Sequence, residues 1–510
     1  MLGALARRVR LLAPLELRDF RLLWTGASIS LIGDGIFLVA LAWQVYTLSG
    51  APAALAVVSI AMSLPQALLV LFGGVVSDRF ERRRIMIASD TLRGLAIGAI
   101  GTLAVMHALA LWHLIVLGAI YGVGSAFFLP SFDATVPDIV PPELLAEANA
   151  LDQFVRPTAL RLAGPALGGV VVGAASAGGA FLLDAMTFAV SAAAVLRMSP
   201  RPRVATPGYD VAAGLRELKE GYRFVRSQVW LWGTLLSASL AYLLFTGPAD
   251  VLVPFVVKNT MHGSPELLGA VFAVGGAGAV TAALVVGQRG TPRRHITFQY
   301  VTWTIATLAV AGYGLAVLPW QLMLASLLFN AFDTAGLIVW GTTRHRLVPP
   351  EMRGRVASFR SVAYGLWPLS YALTVPAAAL FGVRLTLVAA GIGGGVITLA
   401  FLFLPGMRDV ERAGLLFREA DERVVTGAAE VAPALGVEVV EPPRSLPRMP
   451  VRLTLEELER LVDERGPAHP ERHEEWCAYL SAIRDVADLD GRLPGALDEL
   501  VAEVFAPLGV

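Results

Sequence analysis

A single cysteine, Cys477, occurs among 510 residues, so no disulfide can form within the chain and no cysteine-based metal cluster is supported. Lysine is almost missing: Lys219 and Lys258 are the two, and arginine carries the rest of the positive charge. That bias reads as genomic base composition. The histidines lack metal-ligand spacing, with His107 and His113 flanking a short turn and His262 in a loop. No Gly-x-x-x-x-Gly-Lys-Ser/Thr sequence is present, which excludes ATP held by a P-loop as the energy source. No nucleophile and base stand in an arrangement typical of an enzyme, and neither a cofactor nor a nucleic-acid partner is expected. Charge itself is scarce at 16% of residues, where a soluble chain carries about 25%.

Apolar sequence fills the space. Hydrophobic residues make up 55% of the chain and the mean hydropathy is +0.63. Between residues 22 and 405 about twelve apolar runs recur, each close to the ~20 residues that cross a bilayer as a helix. The expected class is an all-α membrane protein whose partner is the lipid bilayer. Odd-numbered connections are short and nearly bare of charge. Even-numbered ones hold the arginines, as in 79–84, 197–203, 289–294 and 344–355, with an acidic exception around Pro141. This asymmetry predicts both termini in the cytoplasm, at the cell inner membrane. Arg7, Arg8, Arg10, Arg18 and Arg21 crowd the start, which argues against a cleavable signal peptide.

The formal net charge of zero hides a second asymmetry. Residues 1–408 hold 30 basic and 19 acidic groups, and residues 409–510 hold 11 and 22. Residues 429–450 read as a Pro-, Val- and Glu-rich linker. Thr454-x-x-Glu457 then makes a capping box before a helix at 455–465, with Gly466 as its stop. Amphipathic helices are expected at 470–487 and 493–505. Within the apolar part there is a repeat. Val75-Val76-Ser77-Asp78-Arg79 returns about 210 residues on as Val285-Val286-Gly287-Gln288-Arg289, and Val140-Pro141-Pro142-Glu143 about 208 on as Val348-Pro349-Pro350-Glu351. The predicted organisation is a six-helix half at 1–197, a cytoplasmic linker at 198–228 with a surface helix near 213–226, a second half at 229–408, and an acidic cytoplasmic helical module at 409–510.

The densest motif lies between the second and third runs, in Gly73-Gly74-Val75-Val76-Ser77-Asp78-Arg79-Phe80-Glu81-Arg82-Arg83-Arg84. Two glycines permit close backbone approach, Asp78 suits a neighbouring helix N-terminus, and the arginines keep the turn out of lipid. The pattern Gly74-x-x-x-Asp78-Arg79-x-x-Arg82-Arg83 resembles the loop signature between helices 2 and 3 of the major facilitator superfamily, with Glu81 departing from the usual small residue. Gly164-Pro165-Ala166-Leu167-Gly168-Gly169 resembles the helix 5 motif of its antiporter branches, and Phe20-Arg21-Leu22-Leu23-Trp24 with Ser30 to Gly35 resembles the helix 1 opening of its twelve-helix drug, macrolide and siderophore exporters. One departure matters: where many of those antiporters carry a helix 4 arginine before a Gln-Gly pair, this chain has Gly118. The resemblance covers roughly residues 15–408 and implies the major facilitator fold, two halves rocking about a mid-membrane site.

Charges inside apolar runs are costly, at about 2.5–3.5 kcal/mol each at mid-bilayer, and so mark function. Asp34, Asp133, Asp250 and Asp333 lie in runs 1, 4, 7 and 10, the helices that the resemblance implies line the central cavity. Asp34, with Asp333, is the candidate proton-coupling acid. Arg156 and Arg161 in run 5 are the candidate replacements for the missing arginine. Five residues apart they do not share an α-helical face, so one at most should point at the cavity. An alternative for them is a structural pair with Asp152 or Asp184. Asp184 itself reads as a packing residue. Asp133 is expected to pair with Arg82 or Arg83 and latch the inner gate, together with Gly74, Asp78 and Arg79. Trp43, Tyr46, Phe127, Phe128, Tyr242, Phe245 and Trp340, with Asp250, are the candidate substrate surface. The expected function is export of small amphipathic organic molecules driven by the proton gradient. An uptake carrier, a lipid flippase, or a sensor signalling through a protein partner of the tail remain open alternatives.

Overall fold

A backbone in lipid must satisfy every N–H and C=O within its own segment, so apolar runs of this length become helices. The computed structural model describes residues 10–200, 211–349, 352–356, 365–416, 455–465, 470–484, 501, 504 and 505, and among them there is no β-strand. The first helices are α1 (Arg18–Leu48), α2 (Pro52–Arg79), α3 (Arg82–Val105) and α4 (Leu111–Ile139). Next, α5 spans residues 145–174 as Leu145–Pro157, a π turn Thr158–Ala163, and Gly164–Ala174. Then come α6 (Ala177–Leu196), α7 (Val211–Ser227) and α8 (Val229–Thr260), the last with π turns at Pro248–Leu252 and Val256–Thr260. The series continues with α9 (Pro265–Arg289), α10 (His295–Leu315), α11 (Pro319–Leu347), α12 (Trp367–Phe381) and α13 (Val383–Leu402). Proline at the first position starts α2, α9 and α11, where the missing N–H costs nothing. Gly382 turns between α12 and α13 at φ +79°, a conformation side chains resist.

Eight of these helices are long and apolar enough to cross a membrane, and α12 is a shorter apolar helix of 15 residues. The count differs from the twelve runs for local reasons. Asp90 and Arg93 interrupt the apolar character of α3, α5 begins polar and is broken by its π turn, His295, Gln299 and several threonines make α10 more polar, and part of the run ahead of α12 lies outside the described residues. Many hydroxyls along the helices bond back to carbonyls four residues earlier, as those of Thr25, Ser63 and Thr102 do, which pairs them within their own helix.

Residues Met1–Asp409 form one unit. In it α1 packs on α5 and α6, α2 on α4, and α3 on α4 and α6. The later helices repeat the scheme: α8 packs on α12 and α13, α9 on α11, and α10 on α11 and α13. The main contacts joining the sets are α5 with α9 and α2 with α12, with smaller ones of α1 with α8 and α9 and of α2 with α8. Large apolar side chains such as Leu68, Leu95 and Leu380 are exposed on the outside, as a lipid solvent requires. The connections fall on two faces. One carries the short links around residues 49–51, 106–110, 175–176, 261–264 and 316–318, and the other carries the arginines.

Val410–Val510 is a separate unit. Its described helices, α14 (Leu455–Arg465) and α15 (Pro470–Arg484), close on Leu458, Val462, Trp476, Leu480 and Ile483, with Val501 and Phe505. Trp476 is fully buried and its indole N–H reaches the Val504 carbonyl at 2.9 Å. The Thr454 cap, the Gly466 stop and most of the third expected helix lie outside the described residues.

Candidate transport cleft

A cleft of ≈ 170 Å³ opens among α1 to α5. It is lined by Ser30 and Asp34 of α1, Gln66 of α2, Arg93 of α3, Tyr121, Ser125 and Phe128 of α4, and Asp152 and Arg156 of α5. These positions run from the middle of the helices towards the arginine-rich face. Asp34 is partly buried, and the Tyr121 hydroxyl donates to its Oδ1 at 2.8 Å. Arg93 and Arg156 lie within electrostatic reach of it. Behind it Asp184 is fully buried and accepts from the Thr187 hydroxyl at 3.2 Å. Gly33 of α1 makes room for this pair, since a Cβ there would run into both side chains.

Arg93 is the residue the sequence reading missed. It is 5% exposed and ion-paired to Asp90, which is 0% exposed. Its guanidinium carbon sits 4.3 Å from the ring centre of Phe128 and 4.6 Å from that of Phe188. The signal was present, a charge in an apolar run, by the same rule that picks Asp34. Gly118, the slot of the expected helix 4 arginine, packs on α2 instead, its missing Cβ leaving room for Met62 Cγ at 2.9 Å.

The coupling candidates divide. Asp34 and Arg156 line the cleft, and Arg156 is bonded to Asp152 at 3.2–3.3 Å. Arg161 turns to α11 and donates to Asn330 Oδ1 at 3.4 Å. Arg156 lies ahead of the π turn and Arg161 within it, and the two side chains part, one into the cleft and one towards α11, as their five-residue spacing predicts. Arg161 lies within electrostatic reach of both Asp250 and Asp333, neither of which lines the cleft. Asp250 sits in a π turn and accepts from the Tyr371 hydroxyl at 2.9 Å. The Asp333 carbonyl accepts from the Trp303 indole at 3.3 Å. Asp34 and Asp333 thus belong to different clusters, since the cleft is built by α1–α5 and α11 packs elsewhere.

Of the expected substrate aromatics only Phe128 lines the cleft. Trp43 and Tyr242 pack against the main apolar core, Phe127 is partly buried, and Trp340 packs edge-on against Trp230 at 5.9 Å. Trp43 also lies under the Lys258 ammonium at 4.3 Å. That contact belongs to a set that joins α1 to α8 near the short-loop face. Lys258 donates to the Trp43 carbonyl at 2.9 Å and to the Thr47 hydroxyl, and the Tyr46 hydroxyl donates to the Val251 carbonyl at 2.6 Å.

At the arginine-rich face, Arg82 pairs with Asp138 and the Ala134 carbonyl, while Arg83 donates to Val195 O at 3.1 Å and to Leu196 O. Arg82 thus meets Asp138 in the last turn of α4, and Arg83 caps the carbonyl end of α6. Asp133 is exposed and Arg79 ends α2 in solvent. The side chain of Asp78, with Gly74, falls outside the described residues, whereas neighbouring Gly73 closes on Ala126 O, 2.6 Å from where a Cβ would stand.

The helix 5 motif sits between α1 and α9. A Cβ on Gly164 would stand 2.6 Å from Gly35 Cα, and one on Gly168 2.9 Å from Ile36 Cα. A Cβ on Gly169 would stand 3.0 Å from Gly269 Cα, and one on Gly269 2.6 Å from Pro165 O. Backbone thus meets backbone on both flanks of the motif.

A family profile described as "Transmembrane secretion effector" matches residues 9–419. The chain belongs to this family of the major facilitator superfamily. Members of the superfamily are multi-pass membrane transporters, and this one is such a transporter. Over 420 residues it is 28% identical to "Multidrug efflux pump Tap" of Mycolicibacterium fortuitum, covering 78% of this chain and 98% of that protein. It is 27% identical to "Uncharacterized MFS-type transporter YfiS" of Bacillus subtilis, covering 55% of this chain and 65% of YfiS. Among solved structures, a bacterial homologue of the iron transporter ferroportin in an inward-facing state superposes with a TM-score of 0.55 at 18% identity, covering 76% of this chain and 99% of that one. That likeness concerns the fold.

Proposed function

We propose that this transporter exports amphipathic small molecules from the cytoplasm, driven by protons moving inward, by alternating access. In this reading twelve helices form two six-helix halves, 1–197 and 229–408. Both termini, the 198–228 linker and the 409–510 module are cytoplasmic, and the membrane is the cell inner membrane. One observation carries it: a titratable carboxylate, Asp34, faces a cleft on the arginine-rich side while Lys258 and Tyr46 close α1 against α8 at the opposite face. An opening on one face and a contact on the other support reading this form as inward-open. Similarity to the efflux pump Tap supports the direction, and the apolar and aromatic walls around a few polar groups suit amphipathic cargo.

The test is uptake into inverted membrane vesicles of compounds to which overexpression confers resistance, with the lumen made acidic. An exporter loads these vesicles. Loading of right-side-out vesicles instead would make the protein an uptake carrier. Flux should survive deletion of residues 409–510; its loss would favour a role of the tail in transport or signalling.

A further inference from the structure

Asp90 and Arg93 cost the membrane domain a buried ion pair, and packing does not demand it. The repeat of about 210 residues aligns Asp90 with Tyr300 and Arg93 with Trp303. The two sets are built alike there. A Cβ on Gly124 would stand 2.8 Å from Arg93 Cγ, and one on Gly336 would stand 2.6 Å from Trp303 Cδ1. In the second set Tyr300 and Trp303 fill the same place as neutral rings with centroids 6.3 Å apart. Replacing a buried pair by apolar groups of similar size is commonly neutral or stabilising. The first set nonetheless keeps its charges, and keeps them beside Asp34.

We propose that Arg93 is the fixed counter-charge of the Asp34 site, a positioning residue held by Asp90 and the Phe128 and Phe188 rings, and that it sets the pH at which Asp34 exchanges its proton. The inference rests on the coupling role of Asp34 given above. The guanidinium has two acids to serve. Asp90 holds it directly, and Asp34 lies within its field. The rings on both faces leave it little freedom to follow Asp34, so its influence changes only when α1 moves relative to α3. The other groups facing Asp34 are Tyr121 of α4, Arg156 of α5, itself bonded to Asp152, and Asp184 of α6. Both arginines are paired over one helical turn, but the Arg156 side chain is 35% exposed against 6% for Arg93, so solvent screens Arg93 less.

The experiment measures proton-driven flux against pH in vesicles for four variants. Arg93→Met removes the charge, so Asp34 holds its proton more tightly and the midpoint moves up, by about one pH unit or more. Asp90→Asn removes the negative charge that offsets the guanidinium, so the net field at Asp34 becomes more positive and the midpoint moves down. Arg93→Lys keeps the charge and restores a midpoint near that of the native protein. Asp34→Asn removes the limb altogether. If Asp34→Asn removes it but Arg93→Met and Asp90→Asn shift it the same way or not at all, the role of Arg93 is overturned and that of Asp34 stands. If Asp34→Asn leaves coupled flux intact, the coupling reading itself fails. Should Arg93→Met not fold, Asp90→Asn with Arg93→Lys decides: a downward shift in the first and none in the second supports the proposal, and an unmoved Asp90→Asn profile overturns it.

Discussion

Asp34→Asn is expected to reduce proton-driven accumulation to the level of vesicles lacking the protein, while exchange of substrate across the membrane without a gradient persists. Asparagine has the size of aspartate and its Oδ1 still accepts the Tyr121 hydroxyl, now 2.8 Å away. What it lacks is a proton to gain and lose. A carboxylate that merely balanced Arg93 and Arg156 would give another result. Its neutralisation would leave unpaired positive charge near α3 and α5, lower thermal stability, and leave coupling in place. Measuring accumulation and exchange on the same vesicles separates the two, because a structural defect lowers both and a coupling defect lowers one.

The second large effect is steric. Gly169→Val is expected to destabilise the protein by about 1–3 kcal/mol or prevent its accumulation in the membrane, the range for forcing extra carbons into a filled contact. The added atoms would meet Gly269 Cα at 3.0 Å and Pro265 O at 2.9 Å, both backbone, so no side chain can turn aside. Gly287→Ala on the same helix as Gly269 is the control. A Cβ there meets nothing within 4 Å, and alanine favours a helix over glycine by about 1 kcal/mol. Its melting temperature in detergent should hold or rise. Equal losses in the two variants would mean that glycine content, and not the α5–α9 contact, matters.

Asp34 was legible in the sequence because a lone acid in an apolar run stands out, and the helix 5 glycines because their spacing does. Arg93 carried the same signal but came with Asp90 three residues before it, a pair that looks self-neutralised until Phe128 and Phe188 are seen to hold it at the cleft wall. The π turns of α5 and α8 leave no mark in the residue pattern, and they hold Arg161 and Asp250. That Arg82 meets Asp138 is a matter of where two helices end. Of the aromatics Phe128 reaches the cleft while Trp340 and Tyr242 do not, because an aromatic residue reads the same in sequence whether it faces a cavity or a neighbouring helix.

The account turns on a water-filled cleft that changes sides. Ser125 lines that cleft, and Cys477 is the sole native thiol, so a Ser125→Cys variant with Cys477→Ser reports on one position. With a membrane-impermeant thiol reagent, labelling should occur from the arginine-rich face at rest and from the opposite face when an acidic exterior and substrate drive turnover. A thiol at 125 that reacts from neither face, or from one face under every condition, would contradict the account.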